Sequence, residues 1–291
     1  MKVALYGQTY NDDASGPVRE ILDELDDGES TVALESEFCQ YLGLDSRGYD
    51  TFDQNGGLDG SFDLFISFGG DGTILRAITY IRESAIPIVG VNTGRLGFLS
   101  TFRKEEVRSL LEEFRAGAYR IVERSLVEAS LEGDTPGGGQ LNFALNEVTV
   151  SRKDTTSMIT VETYLDGEYL TSYWADGLIV ATPTGSTGYS LSCGGPVIAP
   201  TAKSLVITPI APHNLNARPL VIDDDTVIRL RVSGREQQHL LSLDSRITSV
   251  DNGTEITVRR APFTIRMVEY TSESFFKTIR KKLLWGEDRR N

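Results

Sequence analysis

Cysteine and histidine are scarce in this chain, with two of each among 291 residues. Cys39 and Cys193 stand far apart and give no basis for a disulfide framework. His213 and His239 leave little room for a histidine-rich metal site or a Ser-His-Asp triad. The pattern Gly-x-x-x-x-Gly-Lys-Ser/Thr is missing, so any nucleotide would have to be held by something other than a P-loop. No apolar run approaches the roughly 20 residues needed to span a bilayer. The opening stretch Met1–Gly7 breaks at its glycine and reads as a strand, not a secretory segment. These absences favour a cytoplasmic protein with no membrane partner. Basic residues are outnumbered, 29 against 42 acidic ones, for a net charge of −13. That balance argues against a nucleic-acid coat or a polybasic membrane surface. Phosphates could still be held by backbone N–H groups, a few arginines and a metal ion inside an acidic shell.

What is present is enough for two cores. The length exceeds what one core comfortably fills, and 40% hydrophobic with 24% charged residues describes an ordinary globular chain. Strand and helix signals alternate over the first hundred residues. Lys2–Gly7, Thr31–Leu34, Leu64–Phe68 and Ile86–Val91 read as strands. Pro17–Leu25 (with Ser15 a candidate cap), Phe38–Leu44, Thr73–Arg82 and Glu105–Phe114 read as helices. Such alternation predicts a parallel sheet covered on both faces.

After about Ala118 the pattern changes to short strands: Val127–Leu131, Phe143–Ser151, Ile159–Leu165, Tyr169–Trp174, Leu178–Ala181, Leu205–Pro209, Thr226–Val232, His239–Leu243, Glu255–Arg260 and Phe263–Tyr270. Asp166-Gly167 predicts a hairpin, because both residues tolerate positive φ. Ser274–Trp285 reads as an amphipathic helix with Phe275, Phe276, Ile279, Leu283 and Leu284 apolar. The expected division is an α/β domain over 1–117, a mainly β domain over 118–270, and a terminal helix in 271–291 that packs back on the first domain.

Two stretches concentrate chemistry. Phe68-Gly69-Gly70-Asp71-Gly72-Thr73 lies where a strand runs into a helix. Glycines there let backbone approach a ligand, and the helix N-terminus offers free N–H groups to phosphate. The plainer alternative is a tight turn with Asp71 as helix cap. The second stretch runs from Asp176-Gly177 through an apolar strand to Thr182-Pro183-Thr184-Gly185-Ser186-Thr187-Gly188-Tyr189-Ser190-Leu191-Ser192. Its hydroxyls and exposed N–H groups suit ribose and phosphate oxygens; the plainer alternative is a polar Ser/Thr turn.

Together these stretches resemble the NAD kinase family. Gly69–Thr73 is similar to its acid loop, Asn146-Glu147 to its Asn-Glu pair, Asp176-Gly177 to its second acidic motif and Thr182–Ser192 to its longest motif. Asn92–Leu99, Pro212–Leu220 and Asp244-Ser245-Arg246 also resemble family segments, and all appear in family order. The resemblance implies a Rossmann-like α/β domain joined to a β-sandwich-like domain, with the site between them. It implies that Asp71 contacts the acceptor 2′-hydroxyl and takes its proton. Gly72 would lie beside NAD, Asn146 and Glu147 would hold its ribose or nicotinamide end, and Asp176 would also contact it. Thr187, Gly188, Tyr189, Ser190, Leu191 and Ser192 would line the adenine and ribose pocket.

Weaker candidates are Arg76, one helical turn past Asp71, and Ser157 and Arg246. Trp174 stands where many members carry a basic residue, which leaves stacking on NAD or core packing open. ATP would be the donor and Mg²⁺ would accompany it, with no protein metal ligand expected. The family also implies a homo-oligomer, dimer or tetramer. Competing readings are a lipid kinase, disfavoured because Gly185-Ser186-Thr187-Gly188-Tyr189 lacks an Asn-Asp pair, and a non-catalytic NAD-binding regulator, disfavoured by the retained Asp71.

Overall fold

The computed structural model describes residues 1–8, 14–44, 48–94, 97–133, 142–153, 157–270 and 274–285. Arg95 and Leu96 of the Asn92–Leu99 segment lie outside the described residues, as do 271–273 and 286–291 of the terminal stretch. The chain forms two compact units, Met1–Glu123 with Ile265–Asn291, and Arg124–Thr264.

The first unit runs β1 (Lys2–Gly7), α1 (Ser15–Glu24), β2 (Thr31–Glu35), α2 (Ser36–Tyr41), β3 (Asp50–Phe52), β4 (Leu64–Phe68), α3 (Asp71–Ile81), β5 (Ile88–Asn92), β6 (Phe102–Arg103), α4 (Val107–Arg115) and the start of β7 (Tyr119–Leu131). Its strands pair in parallel in the order β3-β2-β1-β4-β5. Val3, Ala4, Leu5 and Tyr6 are all buried although neighbours along a strand face opposite sides, so both faces of the sheet are covered. On one face Val3, Leu5, Ile66 and Val91 share a core with Val18, Ile21, Phe38 and Leu110 of the helices. On the other, the Tyr6 ring lies 5.1 Å from that of Tyr80 in α3. The parallel α/β expectation holds.

The second unit contains β8 (Phe143–Ala144), β9 (Glu147–Arg152), β10 (Ile159–Leu165), β11 (Glu168–Ala175), β12 (Gly177–Ala181), a 3-10 turn at Gly185–Thr187, α5 (Tyr189–Ser192), β13 (Ser204–Ile210), β14 (Leu220–Asp223), β15 (Ile228–Ser233), β16 (Gln238–Leu243) and β17 (Arg246–Asp251). The first half of β18 (Glu255–Tyr270) belongs here and its end to the first unit, followed by α6 (Phe275–Leu283). One antiparallel sheet has the order β14-β13-β12-β9-β16-β17, and β11-β10-β15-β18 pair antiparallel in the other. Val148, Val150, Leu178 and Val180 of the former pack with Val161, Leu230, Ile256 and Val258 of the latter in one core. The β-sandwich expectation therefore also holds. Asp166 and Gly167 turn the β10–β11 hairpin with φ of 48° and 87°.

Several local expectations need correction. Ser15 is inside α1, whose cap is Ala14 with no side-chain hydrogen bond. The strand read as Phe143–Ser151 breaks at Leu145-Asn146, where side chains from elsewhere take the backbone groups. Glu255–Arg260 and Phe263–Tyr270 are one strand: β18 pairs with β15 up to Val258 and with β5 at Met267, and Pro262, which has no N–H, falls between those pairings. The helix α6 buries Thr278 and Ile279 but leaves Phe276 and Leu284 exposed, so its apolar face is narrower than its pattern suggests.

Candidate functional site

The all-buried strand β4 delivers the chain into Gly69, whose N–H reaches the Val91 carbonyl at 2.9 Å. Only glycine fits there: φ is 150°, and a Cβ would lie 2.1 Å from Thr73 Oγ1. Gly70 is the N-cap of α3, and neither it nor Gly72 has a heavy atom within 4 Å of where a Cβ would stand. Early N–H groups of a helix lack intrahelical acceptors, so this first turn carries donors and partial positive charge, with open space where the side chains of Gly70 and Gly72 would stand.

Asp71 is the first helical residue and not the cap, which corrects the plainer reading of the turn. Its carboxylate reaches across to the loop after β5. Oδ2 accepts the Phe98 N–H at 2.7 Å; Oδ1 accepts the N–H groups of Leu99 and Ser100, each at 3.0 Å, and the Ser100 hydroxyl at 3.2 Å. A Cβ on Gly97 would stand 1.7 Å from Asp71 Oδ1, so glycine is needed there for close approach. Asn92 steadies the loop from β5, donating to Ser100 Oγ at 2.9 Å and accepting the Gly94 N–H at 2.8 Å. A carboxylate has about four acceptor positions. Among the described residues Oδ2 meets one donor, which leaves it the freer oxygen. Arg76 is exposed on α3. Lys282 of α6 rests 5.6 Å from the centre of the Phe98 ring.

The second constellation is a corner at the head of β9. Asp244, in the turn between β16 and β17 with φ 52°, accepts the N–H groups of Leu145, Asn146 and Glu147 at 2.9, 2.8 and 3.3 Å. The Asn146 carbonyl receives the Thr182 N–H at 2.8 Å, and Thr182 Oγ1 donates to the Leu145 carbonyl at 2.6 Å. Gly185 lies so close that a Cβ would meet the Asn146 carbonyl oxygen at 2.0 Å. These bonds turn Asn146 and Glu147 toward Gly188, whose Cβ, if built, would sit 3.3 Å from Glu147 Oε2 and 3.5 Å from Asn146 Nδ2. The segment after β12 folds over its own sheet: Ser186 Oγ accepts the Ile198 N–H at 2.9 Å, and the buried Ser190 hydroxyl bonds Thr208 at 2.8 Å. Thr187 donates to the Thr184 carbonyl at 3.2 Å, Leu191 is partly buried, and Tyr189 and Ser192 are exposed.

Electrostatically the corner is acidic. Burial, then the neighbouring Asp244 charge, pushes the Glu147 carboxyl up to about 8. Glu147 Oε2 is buried and has no hydrogen-bond partner among the described residues. Burial also raises Asp244, opposed by its three N–H donors and by Arg246. Burial raises the Cys193 thiol and the Tyr189 hydroxyl as well, and Glu147 adds to both. Asp176 pairs with Arg152 across the strands at 3.2 Å. Arg152 escaped the sequence reading because the pair spans neighbouring strands. Trp174 is 47% exposed, edge-on to the His213 ring at 4.7 Å, so it is not core packing. The Arg246 guanidinium donates to the Phe143 carbonyl and lies over its ring. Ser157 is partly buried.

A glycine-cradled helix start bearing one acid, and a sheet unit with an amide–acid corner beside a hydroxyl-rich turn, define a nucleotide-handling phosphotransferase of the non-P-loop kind. The chain belongs to the NAD kinase family: residues 25–119 match the ATP-NAD kinase N-terminal domain and residues 145–270 its C-terminal domain. It is 54% identical to an NAD kinase of Flavobacterium johnsoniae and 55% identical to one of Christiangramia forsetii, over 100% of both chains in each case. Among solved structures, yeast NADH kinase complexed with NADH superposes with a TM-score of 0.88 at 25% identity, covering 99% of this chain and 89% of that one. An NAD kinase from Archaeoglobus fulgidus in complex with ATP gives a TM-score of 0.73 at 30% identity, covering 98% and 99%. These matches set the lipid-kinase alternative aside.

Proposed function

We propose that Asp71 orients the adenosine ribose 2′-hydroxyl of NAD and receives its proton as the terminal phosphoryl group of ATP is transferred, giving NADP and ADP. The observation that carries this role is the one acid in the glycine turn, fixed through Oδ1 and left freer at Oδ2. Phosphoryl transfer passes through a loose transition state, so positioning and charge neutralisation outweigh covalent help. The open N–H groups at Gly70–Gly72 are suited to donor phosphates. Gly72, Asn146, Glu147, Asp176 and Thr187–Ser192 complete the proposed NAD contacts, with Tyr189 and Trp174 offering exposed rings for stacking. The buried, bonded hydroxyl of Ser190 and the committed guanidinium of Arg246 fit support of the pocket better than direct contact. Arg76 and Ser157 stay as secondary candidates.

Among the described residues no three His, Cys, Asp or Glu side chains gather into a group that could hold a metal ion. A divalent cation, with Mg²⁺ expected, supplies neutralisation of the donor phosphates. Cytoplasmic location and assembly into a homo-oligomer are part of the same reading; no described helix is long and apolar enough to cross a membrane. Incubating the purified protein with ATP, Mg²⁺ and NAD tests the reading. NADP should form, and a well-folded Asp71→Asn protein turning over normally would remove Asp71 from its role.

A further inference from the structure

We propose that Glu147 meets NAD as a neutral carboxylic acid, donating its proton in a hydrogen bond to a ligand oxygen, and that Asp244 is the positioning residue that keeps it neutral. This rests on reading the Asn146–Glu147 corner as part of the NAD site. The two carboxylates compete for one set of donors, and Asp244 holds them all. It accepts the N–H groups of Leu145, Asn146 and Glu147 itself, from a left-handed turn that sets its carboxylate against the head of β9.

The cation of the corner, Arg246, favours the Asp244 charge and donates to the Phe143 carbonyl. The groups that α5 brings toward Glu147 are Tyr189 and, just beyond it, Cys193; burial holds both in their neutral forms, and neither is a cation. Asp176, whose charge also reaches Tyr189, is paired with Arg152. Among the described residues Glu147 Oε2 is left buried and without a hydrogen-bond partner, facing the bare Cα of Gly188.

An anion at that oxygen would have no donor among the described residues of the protein, whereas an acid proton there can be met by an acceptor of the ligand. When two carboxylates share a site, the one with the donors keeps the charge and the other keeps the proton. The raised Glu147 value of about 8 follows first from burial of that oxygen and second from the Asp244 charge beside it. Ligand groups that select the neutral acid are the ribose ring oxygen and the carboxamide carbonyl, which accept and cannot donate; a ribose hydroxyl would serve either form.

The test is KM for NAD and kcat between pH 6.5 and 9.5 for wild type, Glu147→Gln, Glu147→Ala and Asp244→Asn, with thermal unfolding to confirm folding. Wild-type KM should be flat at low pH and climb by up to about tenfold per unit once Glu147 ionises. Glu147→Gln keeps a neutral donor, so its KM should stay within about threefold of wild type at pH 7 and flat above it. Glu147→Ala should raise KM at least about tenfold at every pH. Asp244→Asn removes the neighbouring charge and should move the KM rise to lower pH while the unfolding temperature shows the turn still closed; a loosened turn that hydrates Glu147 would instead lower that temperature. If Glu147→Gln weakens NAD as much as Glu147→Ala and the wild-type profile is flat, the charged form is the one required and the inference fails while the site reading stands. If Glu147→Ala binds NAD normally, the reading of the corner fails. A KM rise that stays in place in Asp244→Asn overturns the role given to Asp244.

Discussion

Asp71 serves two purposes with the same carboxylate: it ties down the Gly97–Ser100 turn and stands where the acceptor hydroxyl is proposed to lie. Asparagine keeps one acceptor and turns an NH₂ group toward N–H donors, so Asp71→Asn should fold, bind NAD and lose at least about 100-fold in kcat. Ser100→Ala separates the two purposes. It removes the hydroxyl bond to Oδ1 and the bond that Oγ accepts from Asn92, while leaving the carboxylate itself in place, and should lower stability by about 1–3 kcal/mol with a few-fold change in kcat. A Ser100→Ala enzyme as dead as Asp71→Asn would show that loop anchoring, and not proton handling, is the main task. Glu147 makes a separate prediction about stability. Its folded-state value is raised from 4.5 to about 8, so its contribution is complete below about 4.5 and is lost as pH rises toward 8. The slope within that window is at most about 1.4 kcal/mol per pH unit. Glu147→Gln should abolish that slope in urea unfolding at pH 5 and pH 8; equal slopes in both proteins would contradict it. Asp71 was legible in the sequence because glycines, acid and helix start are adjacent. Asp244 was legible only as part of a family segment, since its three bonds span 97 to 99 residues of chain.

Among the elements, central strands such as β4 and β12 announced themselves as continuous apolar runs, because both their faces are buried. The edge strands β14 and β17 went unread: each has one paired side, and Leu220–Asp223 and Arg246–Asp251 are mostly partly or fully exposed. The glycines between elements carry information that pattern alone does not. Gly72 meets nothing within 4 Å of its would-be Cβ, whereas Gly97 would strike Asp71. Gly72→Ala should therefore leave Tm unchanged or raise stability by up to about 1 kcal/mol, yet raise KM for ATP if phosphates occupy the open first turn. Gly97→Ala should lose both stability and kcat. Unchanged ATP kinetics in Gly72→Ala would place the phosphates elsewhere.

At the scale of the molecule, the terminal helix links the end of the chain to the acid loop of its own unit. α6 is capped by Ser274, whose Oγ accepts the Lys277 N–H at 3.3 Å, and ends in Arg280, Lys281 and Lys282, a basic last turn that complements the helix dipole. Ile279 and Thr278 anchor it. Lys282 then reaches the Phe98 ring, and the Phe98 N–H is the donor held by Asp71 Oδ2. An exposed cation–ring contact contributes only about 0.5–1 kcal/mol, too little to decide whether the unit folds but enough to bias a short loop. A shift of about 1 Å at a reacting group can cost roughly 100-fold in rate. Ending the chain after Tyr270 should therefore lower kcat well beyond its effect on the β signal of Arg124–Thr264 in circular dichroism. Lys282→Ala should reproduce part of that loss without the cost of unburying Ile279. A chain ending at Tyr270 that forms NADP at the full rate would show that α6 has no part in holding Asp71 in place.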